Sequence, residues 1–127
     1  MNSGPAVPEG FSPDDRLRKR REFEECYSGG VRVSGRHLQM FMLPEARGSR
    51  SRLGLSVPRR TGNAVARNRA RRRLREIFRK NRPALGDRPV RIVINVRGSA
   101  TRAGFAELAL DYLSTLARAI ARLPRPA

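Results

Sequence analysis

Apolar residues recur at helical spacing within a very basic stretch near the middle of the chain. Ala66, Ala70, Leu74, Ile77 and Phe78 occupy positions i, i+4, i+8, i+11 and i+12. This spacing places them on one stripe of a helix with about 3.6 residues per turn. The pattern therefore predicts an amphipathic helix that packs on an apolar surface.

The opposite face of this predicted helix is almost entirely cationic. Away from the stripe lie Asn68, Arg72, Arg75 and Arg79, with Arg67 and Arg71 on one shoulder between the two faces. Only Glu76 opposes this charge, so the helix repels itself until a polyanion binds, and nucleic acid is the simplest partner. The alternative is a basic face that is merely solvated, although mixed charges would serve solvation better.

Three stretches have the spacing of β-strands. Residues 35–44 alternate between two faces, and the less apolar face includes Phe41, which we expect to be half exposed for stacking or packing. Residues 53–57 also alternate, and we expect them to pair with the first stretch as a hairpin. The apolar run 90–96 predicts a third strand. Because the basic helix separates the last two strands, they should form a parallel βαβ unit.

Two further helices flank these elements. The first is expected from Asp14 to Tyr27, ending at a Gly-Gly pair, with Phe23 and Tyr27 as i,i+4 neighbours on one side. The last is expected over residues 105–123, where one apolar side should cover the sheet. Asn63 is a suitable N-cap for the basic helix between them.

Composition and charge narrow the class of partner. The chain has 127 residues, 39% of them hydrophobic, which is enough for one small core. Its net charge is +17, and 13 basic residues lie between Arg50 and Arg82 with a single acid. Such clustering is typical of phosphate binding, where affinity comes from counterion release. A membrane surface ranks lower, because no Trp or bulky apolar residue interrupts the basic face.

The domain boundaries and compartment follow from the same composition. Residues 1–13 are rich in proline and glycine and predict a disordered arm, residues 14–124 a single RNA-binding domain, and residues 125–127 a tail. Cys26 is the only cysteine, which favours a reducing compartment. No apolar run approaches the ~20 residues of a membrane span, so we expect a cytoplasmic protein.

The residues needed for a protein active centre are not grouped in the sequence. His37 is the only histidine, and the acids of the first helix, Glu22, Glu24 and Glu25, are dispersed among arginines, as in surface ion pairs. No Gly-rich phosphate loop or Cys/His metal spacing occurs. On residues alone the chain is an RNA- or DNA-binding module without a metal or cofactor site of its own.

The stretch from Arg59 to Glu76 closely resembles the signature of the bacterial ribonuclease P protein subunit, with an Arg-Asn-Arg core at residues 67–69. The resemblance continues to Phe23 and Tyr27, to Leu53-Gly54-Leu55-Ser56-Val57 and to Arg97, and it covers about residues 17–123. Arginines stand where lysines are frequent, and Tyr27 and Phe41 exchange which aromatic ring is used. These departures leave the stacking of aromatic rings intact and put in doubt only those hydrogen bonds that a tyrosine hydroxyl makes in the commoner pattern.

The resemblance implies an α+β fold: a two-layer sandwich with a small mixed sheet, also found in a domain of a ribosomal protein. In this fold the basic helix joins parallel strands by a left-handed crossover, whereas such connections are almost always right-handed. The resemblance also implies that an RNA subunit, with Mg²⁺, carries the catalytic centre for 5′ maturation of precursor tRNA. This chain would be the accessory subunit that binds that RNA and the 5′ leader, with no membrane and no obligatory protein partner.

The resemblance also implies two sets of site residues. A leader cleft between the first helix and the sheet would use Phe23, Tyr27, Arg36, Phe41, Arg60, Arg67, Asn68 and Arg71. The catalytic RNA would contact Arg69, Arg72, Arg73, Arg75 and Arg79. Aromatic rings stack unpaired bases, asparagine reads base edges and arginines hold the backbone, so the residue types suit these roles.

Two rival classes remain on the sequence alone. A ribosomal-type protein that binds structured RNA would share the charge and the size of the fold but would need no aromatic cleft. A DNA-binding regulator would insert the basic helix in a major groove and prefer duplex.

Overall fold

The computed structural model describes residues 13–124, so the predicted arm, apart from Pro13, and the predicted tail lie outside the described residues. Within that range a single four-stranded sheet is accompanied by three α-helices. The strands are β1 (Val31–Ser34), β2 (Leu38–Pro44), β3 (Arg52–Ser56) and β4 (Val90–Val96), and the helices are α1 (Arg20–Gly29), α2 (Ala64–Lys80) and α3 (Phe105–Arg122). The fold is α+β.

The sheet is mixed, with strand order β1-β2-β4-β3. β4 pairs antiparallel with β2 and parallel with β3, so α2 joins two adjacent parallel strands and the predicted βαβ unit is confirmed. The predicted hairpin between residues 35–44 and 53–57 is wrong, because β4 lies between those two strands. β2 instead forms its hairpin with β1, a four-residue strand too short to stand out in the sequence.

One face of the sheet carries the main core under α2 and α3. Leu38, Met40 and Met42 of β2 point into this core and are fully buried. The stripe of α2 packs on the same core, with Ala70, Leu74, Ile77 and Phe78 buried and Ala66 half buried. The amphipathic helix predicted from the sequence is therefore confirmed. In the described part of the chain, no helix has both the length and the apolar character needed to cross a membrane.

The segment before α1 is not helical as predicted. Residues 13–15 form a 3₁₀ turn, and Arg16 then pairs with Leu53 alongside β3, where Leu17 N–H donates to Leu53 O at 3.0 Å. Asp15 is fully buried and anchors this turn through Arg82 Nη2 at 2.6 Å. α1 consequently begins at Arg20 rather than at Asp14, because Asp15 is buried in ion pairs with Arg50 and Arg82 instead of lying in the first turn of a helix.

The second face of the sheet is covered only in part, by α1. The residues that face this side lie in three rows, each crossing β2, β4 and β3 in that order. The first row is Gln39, Asn95 and Ser56, the second is Phe41, Val93 and Gly54, and the third is Leu43, Arg91 and Arg52. Cys26 of α1 packs with Phe41 and Val93 in the middle row. The sheet and the pair α2 and α3 form the two layers expected from the sequence, and α1 adds a partial third layer on the other face of the sheet.

A partly buried ion network fixes α1 on the third row. Arg91 is 9% exposed, and its guanidinium contacts Glu25 Oε1 at 2.8 Å and Glu45 Oε1 at 3.3 Å. Arg52 pairs with Glu22 Oε2 and Glu45 Oε2, both at 2.8 Å. Glu22 and Glu25 belong to α1, whereas Arg52 and Arg91 belong to β3 and β4. The network therefore ties the helix to these two strands.

This network makes the stability of the fold sensitive to acid. Burial acts to raise the pKa of Glu22 and Glu45, but the hydrogen bonds and charges of Arg52 and Arg91 outweigh it and hold both pKa values below their ordinary range. A carboxyl with a lowered folded-state pKa stabilises the fold above its unfolded-state pKa. That stabilisation is lost as pH falls through the folded-state pKa.

We therefore expect the free energy of unfolding to decrease as pH falls below about 4.5. Arg52→Gln should lower stability at neutral pH and make the acid dependence shallower, because the two pKa values return toward their ordinary range. Urea unfolding followed by circular dichroism at neutral and acid pH measures both effects. Arg72→Gln, at an exposed position of α2, is the matched control, and an unchanged acid dependence in Arg52→Gln would contradict the assignment.

Candidate nucleic-acid interface

The first row of the second sheet face, which α1 leaves uncovered, forms the floor of a cleft. Gln39, Asn95 and Ser56 lie side by side across three strands. They line a cavity of about 600 Å³ whose other walls come from the loop after β3 and the end of β4, namely Pro58, Arg60, Thr61, Val96, Arg97 and Gly98. The register of the sheet therefore creates a polar floor bordered by two arginines.

Aromatic side chains of α1 stand at the edge of this floor. Phe23 is half buried and lies on Gly54, where an added Cβ would come within 2.6 Å of the ring. Tyr27 is 38% exposed and meets Phe41 edge to face, with ring centroids 4.8 Å apart. The Tyr27 hydroxyl donates to Asn95 Oδ1 at 2.8 Å. Tyr27 thus links the helix to the cleft floor.

Phe41 does not have the half-exposed position expected from the alternation of its strand. Its side chain is 7% exposed and packs with Leu17, Cys26 and Val93 beneath α1. The expectation fails because α1 covers the middle row, a tertiary contact that strand periodicity does not contain. Phe41 supports Tyr27 from below, and Tyr27 has the accessible ring.

The loop between β3 and α2 positions the basic rim of the cleft. Arg60 lies in a 3₁₀ turn, and the Thr61 hydroxyl donates to Pro58 O at 2.6 Å within that turn. Thr101 Oγ1 donates to Thr61 O at 3.0 Å, which ties the loop to the segment after β4. Asn63 then caps α2 by accepting from Ala66 N–H at 2.8 Å, as predicted. Arg60 and Arg97 are both exposed beside the cavity.

The first turns of α2 carry the Arg-Asn-Arg core next to this loop. Arg67 Nε donates to Gly62 O at 3.1 Å, and Arg71 Nη1 donates to Asn68 Oδ1 at 2.8 Å. Arg36 lies elsewhere, in the turn between β1 and β2, where its backbone N–H donates to Asp111 Oδ1 at 2.9 Å. Of the predicted leader-binding residues, only Arg60 is among those lining the cavity itself, with Tyr27 joined to it through Asn95.

The arginines predicted to contact the catalytic RNA differ in their surroundings. Arg72 is exposed, and Arg69 is half buried. Arg73 Nη1 donates to Ala103 O at 2.9 Å, and Arg79 pairs with Glu76. Burial lowers the pKa of Arg75, and the charges of Arg16 and Arg71 lower it further. Several cationic groups therefore converge near Arg75, whereas Arg73 contributes to packing of α2 on the loop before α3.

The three floor residues and the second arginine of the rim were not among the predicted site residues: Gln39, Ser56, Asn95 and Arg97. Each had a signal in the sequence. Gln39 and Ser56 occupy polar positions of alternating strands, and Asn95 is an uncharged polar residue inside an otherwise largely apolar run. What the sequence lacked was the strand order that places the first three in one row.

The only histidine of the chain is engaged in structural contacts. His37 is 5% exposed, with Nδ1 2.8 Å from Ser99 Oγ and Nε2 2.6 Å from Glu107 Oε2. Across residues 13–124, no three His, Cys, Asp or Glu side chains are grouped so that they could hold a metal ion. The cleft offers aromatic, amide, hydroxyl and guanidinium groups, which suit an unpaired nucleotide chain.

Comparison with known proteins agrees with this chemistry. A family model described as Ribonuclease P matches residues 11–120. The chain belongs to the ribonuclease P protein family. It is 42% identical over 113 residues to the "Ribonuclease P protein component" of Desulfovibrio desulfuricans, a match that covers 88% of this chain and 82% of that relative. The family suggested by the Arg-Asn-Arg motif is therefore confirmed, and the ribosomal-type alternative is not favoured.

Solved structures of this family share the fold. The RNase P protein of Staphylococcus aureus is similar with a TM-score of 0.74 and 26% identity, covering 85% of this chain and 95% of that one. The RNase P protein of Thermotoga maritima is similar with a TM-score of 0.70 and 30% identity, covering 81% and 96%. The α+β architecture with a small mixed sheet is thus that of ribonuclease P proteins.

The contact between Phe23 and Gly54 yields a test of the cleft wall. Gly54→Ala should push the ring and α1 away from β3, because the added Cβ would fall within 3.0 Å of both Phe23 and Leu17. Overpacking of this kind costs about 1–3 kcal/mol of stability. Cys26 of α1 is fully buried against the sheet, and burial raises the pKa of its thiol to about 11. Its labelling at neutral pH should therefore be slow in the wild type and faster in Gly54→Ala.

Gly104→Ala is the matched control, because no atom lies within 4 Å of a Cβ built at that position. It should leave both the unfolding free energy and the rate of Cys26 labelling close to the wild-type values. Equal labelling rates in Gly54→Ala and the wild type would show that α1 does not depend on the glycine.

Proposed function

We propose that this chain is the protein component of a ribonuclease P, which binds a catalytic RNA and the 5′ leader of precursor tRNA. Removal of the leader by the complex then gives the mature 5′ end. The observation that carries the proposal is the cleft beside α1, in which the exposed ring of Tyr27 borders a polar floor and an arginine rim. These are the groups that bind unpaired nucleotides by stacking, base-edge hydrogen bonds and phosphate contacts.

The dimensions of the cleft support a single-stranded ligand. A cavity of about 600 Å³ lies within the range of roughly 300–1,000 Å³ that encloses a small ligand, and a nucleotide belongs to that size class. Duplex readout instead requires an element that projects into a groove, whereas this cleft is a concave surface. The leader is the unpaired segment of a precursor tRNA, so it is the part that the cleft suits.

The catalytic centre is assigned to the RNA subunit, together with the Mg²⁺ that such a centre requires. His37, the only histidine of the chain, is buried with both ring nitrogens in contact with Ser99 and Glu107, so it cannot act as an acid or base in the cleft. The role left to the protein is electrostatic and positional. Its cationic side chains would reduce repulsion between phosphates of the RNA and its substrate.

Contact with the catalytic RNA is assigned to the outward face of α2. Arg72 is exposed there, and the convergence of Arg16, Arg71 and Arg75 concentrates positive charge on one side of the helix. Binding of phosphate would relieve the repulsion among these groups. Arg73 belongs to the protein's own packing, so its contribution to RNA binding should be smaller than its charge alone suggests.

The leader assignment predicts that Tyr27→Ala weakens binding of precursor tRNA by about 1–3 kcal/mol, the cost of one lost base stack. Binding of a precursor whose leader is almost absent should barely change. Tyr27→Phe should retain most of the advantage of the long leader, because it keeps the ring. The measurement is the affinity of the complex reconstituted from this chain and a ribonuclease P RNA for the two substrates.

Leu110→Ala is the control, because Leu110 is 70% exposed on α3, which packs on the opposite face of the sheet. Protein without RNA, treated with nuclease, is included in each assay and should cleave no precursor. An equal loss on both substrates in Tyr27→Ala would refute the leader cleft, and cleavage by the protein alone would refute the assignment of the catalytic centre.

The assignment of α2 predicts a difference between two neighbouring arginines. Arg72→Ala should weaken binding to the catalytic RNA and reduce the slope of log affinity against log salt by about one phosphate contact. Arg73→Ala removes the same charge but should change the slope less and lower the stability of the fold, because its guanidinium bonds to Ala103 O. Salt titrations and urea unfolding of both variants separate the two effects. Equal changes in slope would show that only net charge matters.

A further inference from the structure

The cleft floor contains an amide whose orientation the protein fixes. Asn95 Oδ1 accepts a hydrogen bond from the Tyr27 hydroxyl at 2.8 Å. An asparagine side chain has its acceptor oxygen on one side and its two N–H donors on the other. With the oxygen held by Tyr27, the amide nitrogen makes no hydrogen bond to any residue in the range 13–124, and Asn95 lines the cavity. The amide therefore presents a donor rather than an acceptor to a ligand.

The surroundings of Tyr27 hold this orientation. Burial raises the pKa of Tyr27, and interactions with Ser56 and Asn95 act in the opposite direction without cancelling that rise. The phenol stays protonated at neutral pH and can donate to the amide oxygen. Contact with Phe41, at 4.8 Å between ring centroids, fixes the ring itself. A flip of the Asn95 amide would break this hydrogen bond and require the phenol to change from donor to acceptor toward Asn95.

A second amide lies beside the first. Gln39 is the partner of Asn95 in the antiparallel pairing of β2 with β4, and side chains at such positions are neighbours on the sheet face. Gln39 Nε2 points to Ser34 Oγ at 3.4 Å, which leaves its oxygen to accept from a ligand. The floor thus offers a donor from Asn95 and an acceptor from Gln39 in one row. This pattern is typical of recognition of a base edge rather than of a phosphate.

We propose that Asn95, positioned by Tyr27, determines base specificity at one leader nucleotide by acting as a fixed hydrogen-bond donor. The proposal rests on the proposed function of the cleft. Adenine and guanine differ at C6, and cytosine and uracil differ at C4, in whether the base carries an amino group or a carbonyl oxygen. A fixed donor therefore distinguishes the two purines from each other and the two pyrimidines from each other. A site built to make such a bond rejects the base that leaves the donor unpaired.

The test uses the reconstituted complex and a set of precursor tRNAs in which each leader position near the cleavage site carries each of the four bases in turn. The measured quantity is the ratio of affinities between bases at one position. The wild type should show a preference of about 3- to 10-fold at one position, which corresponds to one hydrogen bond. Asn95→Ala should reduce this ratio to nearly one.

Asn95→Asp replaces the donor by an acceptor in a side chain of the same shape. It should favour the bases that the wild type disfavours at that position. The added negative charge weakens binding of every leader, but the ratio between bases removes that common effect. Tyr27→Phe releases the amide to rotate, so it should weaken base preference more than it weakens leader binding. A residue with only a structural role would change stability, followed by circular dichroism and urea unfolding, without changing this ratio.

Each outcome bears on one of the two proposals. If the wild type has no base preference, or if Asn95→Ala and Asn95→Asp both keep it, the specificity role of Asn95 is refuted. The proposed function then still stands as long as affinity depends on leader length. If the wild type binds substrates with and without a leader equally, the cleft assignment itself fails, and the specificity role fails with it.

Discussion

The burial of Arg91 between α1 and the sheet is the interaction on which the rest of the structure depends. Removing a guanidinium from water is costly unless it is paired, and Glu25 and Glu45 provide the partners. The pairing fixes α1 over the third row of the sheet, and Cys26 and Phe41 continue the contact over the second. The first row stays open because α1 is anchored at the far end of the strands. The cleft is thus a consequence of where the helix is held.

Several acids of the chain hold elements of the fold together, while basic residues outnumber acids by more than two to one. The chain has 11 acids against 28 basic residues. Asp15 is buried against Arg82, and Asp111 accepts from the backbone of the turn between β1 and β2. These acids hold loops and edges together rather than neutralising the surface. Within α2 itself, Glu76 pairs with Arg79 and Lys80 near the end of the helix, and a polyanion is the partner that relieves the remaining repulsion.

Local sequence pattern predicted most of the helices and strands but not β1, and long-range contacts decided how they are arranged. The period of α2 and the apolar run of β4 were sufficient to place both, since each reflects burial on one surface. Strand order was not predictable in the same way, because alternation shows that a strand is half buried but not which strand lies beside it. Likewise the sequence pattern put Asp15 at the start of the first helix, and its buried contacts with Arg50 and Arg82 show instead that it is part of a turn at the sheet edge.

The cleft shows the same division between local and tertiary information. Stacking aromatics and arginines were expected from the family motif, whereas the polar floor required the register that aligns Gln39, Asn95 and Ser56. An amide within a strand as apolar as β4 is costly unless its polar groups find partners. The phenol of Tyr27 satisfies the oxygen of Asn95, while Phe41 occupies an apolar cluster that suits a ring without a hydroxyl. The exchange of Tyr and Phe between these two positions therefore moves the hydroxyl to the one place where it can orient the floor.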